Sequence, residues 1–188
     1  MGTLLRYEVR ETKRWTSMIN ESEEVNISGS FDAYARGLTE IEDLDTDIWY
    51  TILDATGESV DDYNKLPRSV QLFYASRYLE WEVANGGFPQ AAYNIPGLFT
   101  LAREWYSLEG LNEVASIIEQ AEQLIRDGEA EFKTPCGGDI GELFEEFLDS
   151  RLSAFNAPAW ECGLDATEQR VAYAIRNRGD FESIGKLP

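Results

Sequence analysis

Apolar residues recur at intervals of three and four along most of this chain, which is the spacing of one face of an α-helix. One such face follows Pro67 and comprises Val70, Phe73, Tyr74, Tyr78 and Trp81. Pro67 is well placed as the first residue of this helix, because the first helical residue needs no amide donor. Asn85-Gly86-Gly87 predicts its end, since glycine readily adopts the positive φ of a helix exit.

The same spacing predicts further helices over residues 31–56, 98–108 and 111–126, from Asp139 to Pro158, and from residue 165 or 167 onward. The predicted fold class is therefore all-α, a compact bundle of about six helices with short connections. Residues 1–30 lack sustained periodicity, although 4–9 resemble a short strand and 12–18 a helical turn. We therefore predict a partly irregular N-terminal segment, residues 1–30, and a single helical domain, residues 31–188.

The chain has a large excess of negative charge, with 35 acidic and 16 basic residues and a formal net charge of -19. Such a chain repels nucleic acid and anionic membranes and attracts basic proteins. The excess lies in two blocks: residues 31–62 hold ten acidic residues and one basic residue, and residues 111–150 hold eleven and two. A surface adapted to solubility or to a salty cytoplasm is the alternative, but its charge would be spread more evenly.

The sequence contains no histidine, which excludes a Ser-His-Asp triad, a Cys-His pair and histidine metal ligands. Cys136 and Cys162 form no CxxC motif, and we interpret them as free thiols. Hydrolysis by two carboxylates stays open, with Glu80 and Glu82 as candidates, although side chains two residues apart on a helix point in different directions. The prediction is a protein without a catalytic site, a metal or a cofactor.

Each acidic block offers a candidate partner-binding surface. The candidates in the second block are Glu142, Glu145, Glu146 and Asp149. Their spacing places them on one helix face with Cβ atoms roughly 5–6 Å apart, a separation in the range of successive phosphates on a nucleic-acid strand, whose axial repeat is ~3.4 Å. The candidates in the first block are Glu42, Asp43, Asp45 and Asp47. A solvated helix surface is the alternative interpretation of both sets.

Residues 43–47 also resemble the start of a calcium-binding loop. An EF-hand loop requires glycine at its sixth position and glutamate at its twelfth. This chain has Ile48 and Asp54 there, so an acidic helix start, stabilised by the helix dipole, explains the segment better.

A more specific pattern is Glu80-Trp81-Glu82-Val83-Ala84-Asn85-Gly86-Gly87-Phe88-Pro89-Gln90, followed by Tyr93-Asn94. It resembles the core of a helical domain family that is named for the C-terminal domain of a bacterial DNA-mimic protein. Residues 168–181 are similar to the closing helix of that family, and the resemblance covers roughly residues 45–182. It implies an all-helical fold and a DNA-mimicking, protein-binding role, and it brings no catalytic residue.

We interpret the centre of this pattern as a structural turn formed by Glu82, Asn85, Gly86, Gly87, Phe88, Gln90 and Asn94. Phe88 would anchor the turn in the core, and Gln90 and Asn94 would satisfy its backbone polar groups. A ligand pocket at the turn is the alternative.

The function that these features favour is an acidic protein-interaction module, a DNA mimic that binds a basic DNA-binding protein and blocks its access to DNA. The alternatives are an antidote-type partner of a basic toxin or nuclease, and a carboxylate-dependent hydrolase. No signal peptide and no apolar segment of ~20 residues is visible, so we expect a cytoplasmic protein that binds neither nucleic acid nor membrane directly. Homodimer formation stays open.

Overall fold

Every regular element is helical in the computed structural model of this chain, over the residues that it describes: 26–56, 63–133 and 149–184. In chain order the helices are α1 (Ile27–Ala35), α2 (Ile41–Thr56), α3 (Arg68–Asn94), α4 (Phe99–Leu108), α5 (Asn112–Lys133), α6 (Asp149–Ser153), α7 (Asn156–Glu161), α8 (Thr167–Arg176) and α9 (Arg178–Glu182). The predicted all-α class is confirmed, and about six helices is approximately right. The strand and turn predicted over 4–9 and 12–18 lie outside the described residues.

The chain divides into two units. The first consists of residues 1–67 with 177–188 and contains α1, α2 and α9. The second consists of residues 68–176 and contains α3 to α8. The predicted boundaries, 1–30 and 31–188, are not tested by this division and stay a prediction.

The first unit begins its helical structure at Ile27, inside the segment predicted to be irregular. The side chain of Asn26 accepts a hydrogen bond from the Gly29 amide (3.2 Å), which satisfies one of the unpaired donors of the first turn. At the far end of the unit, α9 packs on α1. The Phe31 and Phe181 rings lie 6.5 Å apart, and the Arg178 guanidinium sits 5.3 Å above the Phe31 ring.

The single helix predicted over 31–56 is wrong, because the chain breaks between α1 and α2. Gly37 has a φ of 68°. The Leu38 amide bonds to the Ala33 carbonyl (2.9 Å) and the Gly37 amide to the Tyr34 carbonyl (2.9 Å), which is the Schellman helix end. Leu38 continues the apolar spacing of the predicted helix, but beyond the break it is 69% exposed.

The second unit is built around α3, which packs against α4, α5, α6, α7 and α8. Its fully buried large side chains include Phe73, Leu79, Phe88, Phe99, Trp105 and Ile118. The helices predicted over 98–108 and 111–126 correspond to α4 and to the first part of α5. No helix in the described part of the chain is both long and apolar enough to cross a membrane.

The first helical stretch of α3 ends at Asn85-Gly86-Gly87, as predicted: both glycines have non-helical backbone angles, and a second helical stretch follows them to Asn94. One boundary in the second unit differs from the prediction. Pro158, expected to end a helix, lies in the first turn of α7 instead. The reason is general: the first turn of a helix has no partner for its amides, so a proline costs nothing there. Near the predicted start of the last helix, the Asp165 carboxylate accepts a hydrogen bond from the Thr167 amide (3.3 Å), which satisfies an unpaired donor of the first turn of α8.

Candidate functional site

The turn predicted at Asn85-Gly86-Gly87 is a kink that divides α3 into two arms, residues 68–85 and 88–94. Gly86 has φ -155° and ψ 16°, and Gly87 has φ 76° and ψ -176°. The conformation of Gly87 belongs to a region that essentially only glycine occupies. Pro89 lies in the first turn of the second arm, where its missing amide hydrogen is not needed. The predicted glycine turn is therefore present: it ends the first arm, and the second arm follows it in a new direction.

Asn156 of α7 contacts both sides of the break, at Gly87 and at Phe88. Its Oδ1 accepts a hydrogen bond from the Phe88 amide (2.8 Å), so it caps the second arm in place of a neighbouring residue. The same side chain fills the space beside Gly87, where an added Cβ would lie 2.3 Å from Asn156 Nδ2. Nothing in the local sequence indicated Asn156, because it lies 68 residues further along the chain.

Phe88 anchors the kink as predicted. Its side chain is fully buried, and its ring lies 6.2 Å from that of Phe99 and 6.0 Å from that of Phe155. Asn85 is exposed and donates to the Trp81 carbonyl (2.9 Å).

Glu82 joins the two arms through its carboxylate. Oε2 accepts hydrogen bonds from Gln90 Nε2 (2.7 Å) and Asn94 Nδ2 (2.8 Å). Glu82 is 1% exposed, and this burial raises the pKa of its carboxyl group, against the two hydrogen bonds that lower it. The prediction that Gln90 and Asn94 satisfy backbone groups of the turn is wrong, since both amides donate to this side chain.

Next to the kink, Glu80 forms a buried ion pair with Arg170 of α8, whose side chain is fully buried. Arg170 also donates to the Thr167 hydroxyl (3.0 Å). Burial raises the pKa of Glu80, and the Arg170 guanidinium opposes that rise. Both carboxylates proposed for a hydrolase are thus engaged in internal contacts, and no local sequence pattern indicates Arg170 as a partner.

The acidic candidates of the first block are not equivalent. Glu42 and Asp43 are exposed, Asp47 is half-buried and accepts from the Ser30 hydroxyl (2.6 Å), and Asp45 is 2% exposed. Asp45 therefore does not present its carboxylate to a partner in this structure. Two acidic residues outside the predicted set, Glu40 and Asp54, are exposed on the same helix region.

Four of these acids follow the α-helical repeat, with intervals of three, four and seven residues. They are Glu40, Asp43, Asp47 and Asp54, which we call the α2 stripe. At 1.5 Å per residue the stripe is about 21 Å long. No basic side chain among the described residues forms an ion pair with Glu40, Asp43 or Asp54.

Many acidic residues of the second unit are neutralised by arginine. The pairs are Glu104 with Arg68, Glu119 with Arg103 (2.7 Å), Glu122 with Arg126 (2.8 Å) and Glu109 with Arg176 (2.6 Å). The predicted acidic face of the second block cannot be compared, because Glu142, Glu145 and Glu146 lie outside the described residues. Asp149 begins α6, and its side chain also lies outside them.

A polar groove of about 460 Å³ lies between α4 and α5, away from the kink. It is lined by Thr100, Arg103, Glu104, Ser107, Asn112, Ala115, Ser116 and Glu119. No residue of the kink lines it, so it does not correspond to the ligand pocket considered for the turn.

Comparison with known proteins gives a match to a family model. The chain matches the family model described as DMP19-like protein over residues 64–178, well over half of its length. No curated protein and no solved structure matches it. The matched span includes the kink, Asn156 and Arg170, and it excludes α2. The chain therefore belongs to the DMP19-like protein family.

Proposed function

We propose that this protein is an acidic interaction module that acts as a DNA mimic, binding a basic DNA-binding protein and competing with DNA for it. Membership of the DMP19-like family, a family of DNA-mimic proteins, is the observation that carries the proposal. The net charge of -19 supports it, because a strongly acidic surface steers basic proteins toward itself.

The α2 stripe is the part of the described surface that best suits this role. Its four carboxylates lie along about 21 Å of one helix side, which is the length of roughly six phosphates at an axial repeat of 3.4 Å. Glu40, Asp43 and Asp54 are exposed, and no described arginine or lysine neutralises them. Asp47 is held in place by the Ser30 hydroxyl.

The ion pairs of the second unit also support the α2 stripe as a binding surface. Carboxylates already bound to an arginine, such as Glu104 and Glu119, offer a partner little net charge. The charge available to a basic partner is therefore concentrated on acids without such pairs. We propose the α2 stripe as one such surface and retain residues 142, 145, 146 and 149 as the second.

The proposal predicts that neutralising the stripe weakens partner binding. The test variant carries Glu40→Gln, Asp43→Asn and Asp54→Asn, which keep side-chain size and remove three charges. At about 0.5 kcal/mol for each exposed charge pair, Kd should rise about tenfold, mainly through slower association. Proteins captured from the native host at low salt are identified first, and binding of a captured basic protein is then measured in competition with duplex DNA.

A control variant with Asp127→Asn, Glu161→Gln and Glu168→Gln changes the net charge equally at exposed sites of the second unit. Its affinity should stay within about threefold of the unmodified protein, since it loses only long-range attraction, which salt screens over about 8 Å. A third variant, Glu142→Gln, Glu146→Gln and Asp149→Asn, tests the second surface. If the test and control variants lose affinity equally, net charge alone determines binding. If no variant loses affinity, the protein has no acidic binding surface.

The antidote alternative uses the same charges but a different partner. A captured toxin or nuclease whose binding is unaffected by DNA would favour it over mimicry. The carboxylate hydrolase receives no support from Glu80 and Glu82, which bind Arg170, Gln90 and Asn94. That the protein is not an enzyme and that it lies in the cytoplasm stay predictions from the sequence.

A further inference from the structure

The kink of α3 contains a buried carboxylate that has no positive partner among the described residues. Glu82 is 1% exposed, and its two hydrogen-bond partners, Gln90 and Asn94, are neutral amides. Glu80, two residues earlier, is instead compensated by the buried Arg170. A buried carboxylate without a counter-charge is costly when ionised and inexpensive when protonated.

The charged groups on the elements packed against α3 do not compensate Glu82. On α4 and α5, Arg103 pairs with Glu119, and the Glu104 and Glu122 carboxylates bind Arg68 and Arg126. On α8, Arg170 binds Glu80, and Arg176 binds Glu109. The remaining charged side chains described on these helices are exposed: Glu113, Asp127, Arg151, Glu161 and Glu168. On α3 itself, Arg77 lies 3.9 Å from Glu80.

The Glu82 carboxylate connects the two arms of α3 across the break at Gly86 and Gly87. The second arm, residues 88–94, is attached at the kink by the hydrogen bonds of Gln90 and Asn94 to Glu82 and of the Phe88 amide to Asn156. Opening the second arm would expose the carboxylate to water. An ionised Glu82 therefore favours opening, whereas a protonated Glu82 does not. Protonation at Oε1 leaves Oε2 free to accept from both amides, so the closed geometry is preserved.

We propose that the kink of α3 is a proton-sensitive joint, in which uptake of a proton by Glu82 stabilises the closed arrangement of the two arms.

The sign of the pH dependence follows from linkage. Burial raises the pKa of Glu82 above its ordinary value of 4.5, so the closed form binds the proton more tightly than the opened form. The added stability is fully present below pH 4.5 and is lost as the pH rises through the raised pKa. Closure should therefore tighten as the solution is made mildly acidic.

Two measurements on the full chain test this inference. Carbon-13 NMR of the Glu82 carboxyl should give a titration midpoint above 4.5. Hydrogen exchange of the amides in residues 88–94, corrected for intrinsic rates, should show protection that increases as the pH is lowered through the raised pKa of Glu82, by up to about tenfold for each pH unit between the two pKa values. In Glu82→Gln this increase should disappear, and in Glu168→Gln, an exposed matched control, it should remain.

A Glu82 midpoint at or below 4.5 would overturn the proposal, and so would a Glu82→Gln variant with the pH dependence of the unmodified protein. If Glu82→Gln does not fold, the NMR midpoint of the unmodified protein decides alone. Neither readout involves a binding partner, so the result stands apart from that of the mimicry experiment.

Discussion

Gly87→Ala is expected to lower the free energy of unfolding by about 2–4 kcal/mol. Positive φ with extended ψ strains any residue with a Cβ by about 1–3 kcal/mol. The new Cβ would also lie 2.3 Å from Asn156 Nδ2 and force that side chain away from the Phe88 amide, which loses a hydrogen bond with a net contribution of about 1 kcal/mol. Denaturant unfolding, followed by tryptophan fluorescence, measures the effect, and the melting temperature should fall by about 5–15 °C.

Two further alanine variants separate strain from clash. Gly110 also has a positive φ, 78°, but no atom lies within 4 Å of an added Cβ, so Gly110→Ala measures strain alone. Gly97 has neither a positive φ nor a neighbour within 4 Å, and Gly97→Ala should change stability by less than about 0.5 kcal/mol. If Gly87→Ala costs no more than Gly110→Ala, the contact with Asn156 has no energetic importance.

Arg170→Met is expected to destabilise the protein by about 3–5 kcal/mol, because it leaves the Glu80 carboxylate buried without its counter-charge. Since Glu80 can then escape the penalty by taking up a proton, the loss should shrink as the pH falls through the raised pKa of Glu80. Denaturant unfolding at pH 7 and pH 5 measures both effects.

The double variant Arg170→Met, Glu80→Gln removes the uncompensated charge and should recover much of the stability that the single variant loses. Arg68→Met breaks an ion pair between exposed side chains, Arg68 and Glu104, and should cost less than about 1 kcal/mol. Similar losses for Arg170→Met and Arg68→Met would show that the buried pair contributes no more than an exposed one.

Local sequence patterns predicted much of the helical structure of this chain. The predicted range 98–108 differs from α4 by one residue, because apolar periodicity and a terminal glycine agree there. The apolar pattern does not indicate the break between α1 and α2, because Leu38 continues the apolar repeat past Gly37, the residue that ends the helix. Periodicity alone does not distinguish one bent segment from two helices.

Only the parts of the candidate site that depend on residues close together in the sequence could be predicted. The two glycines and Phe88 gave a recognisable turn, whose positive φ and buried anchor the structure contains. The partners of the turn were not predictable, because Asn156 and Arg170 come from helices far along the chain. The sequence did not predict that Glu82 is buried or that it binds Gln90 and Asn94, because glutamate is rarely buried without a paired charge.

Asn156, which caps the second arm of the kink, lies 68 residues after Phe88. This separation determines when, during synthesis, the hydrogen bonds of the kink can all form. The contacts that finish this region join residues 80, 88 and 106 to residues 170, 156 and 164, separations of 90, 68 and 58 residues. During synthesis, α3 therefore leaves the ribosome long before the side chains that cap its second arm and neutralise Glu80. Until residue 170 emerges, the nascent chain exposes an uncapped arm and an unpaired carboxylate, which delays stable packing of this unit until the helices that carry Asn156 and Arg170 have been made.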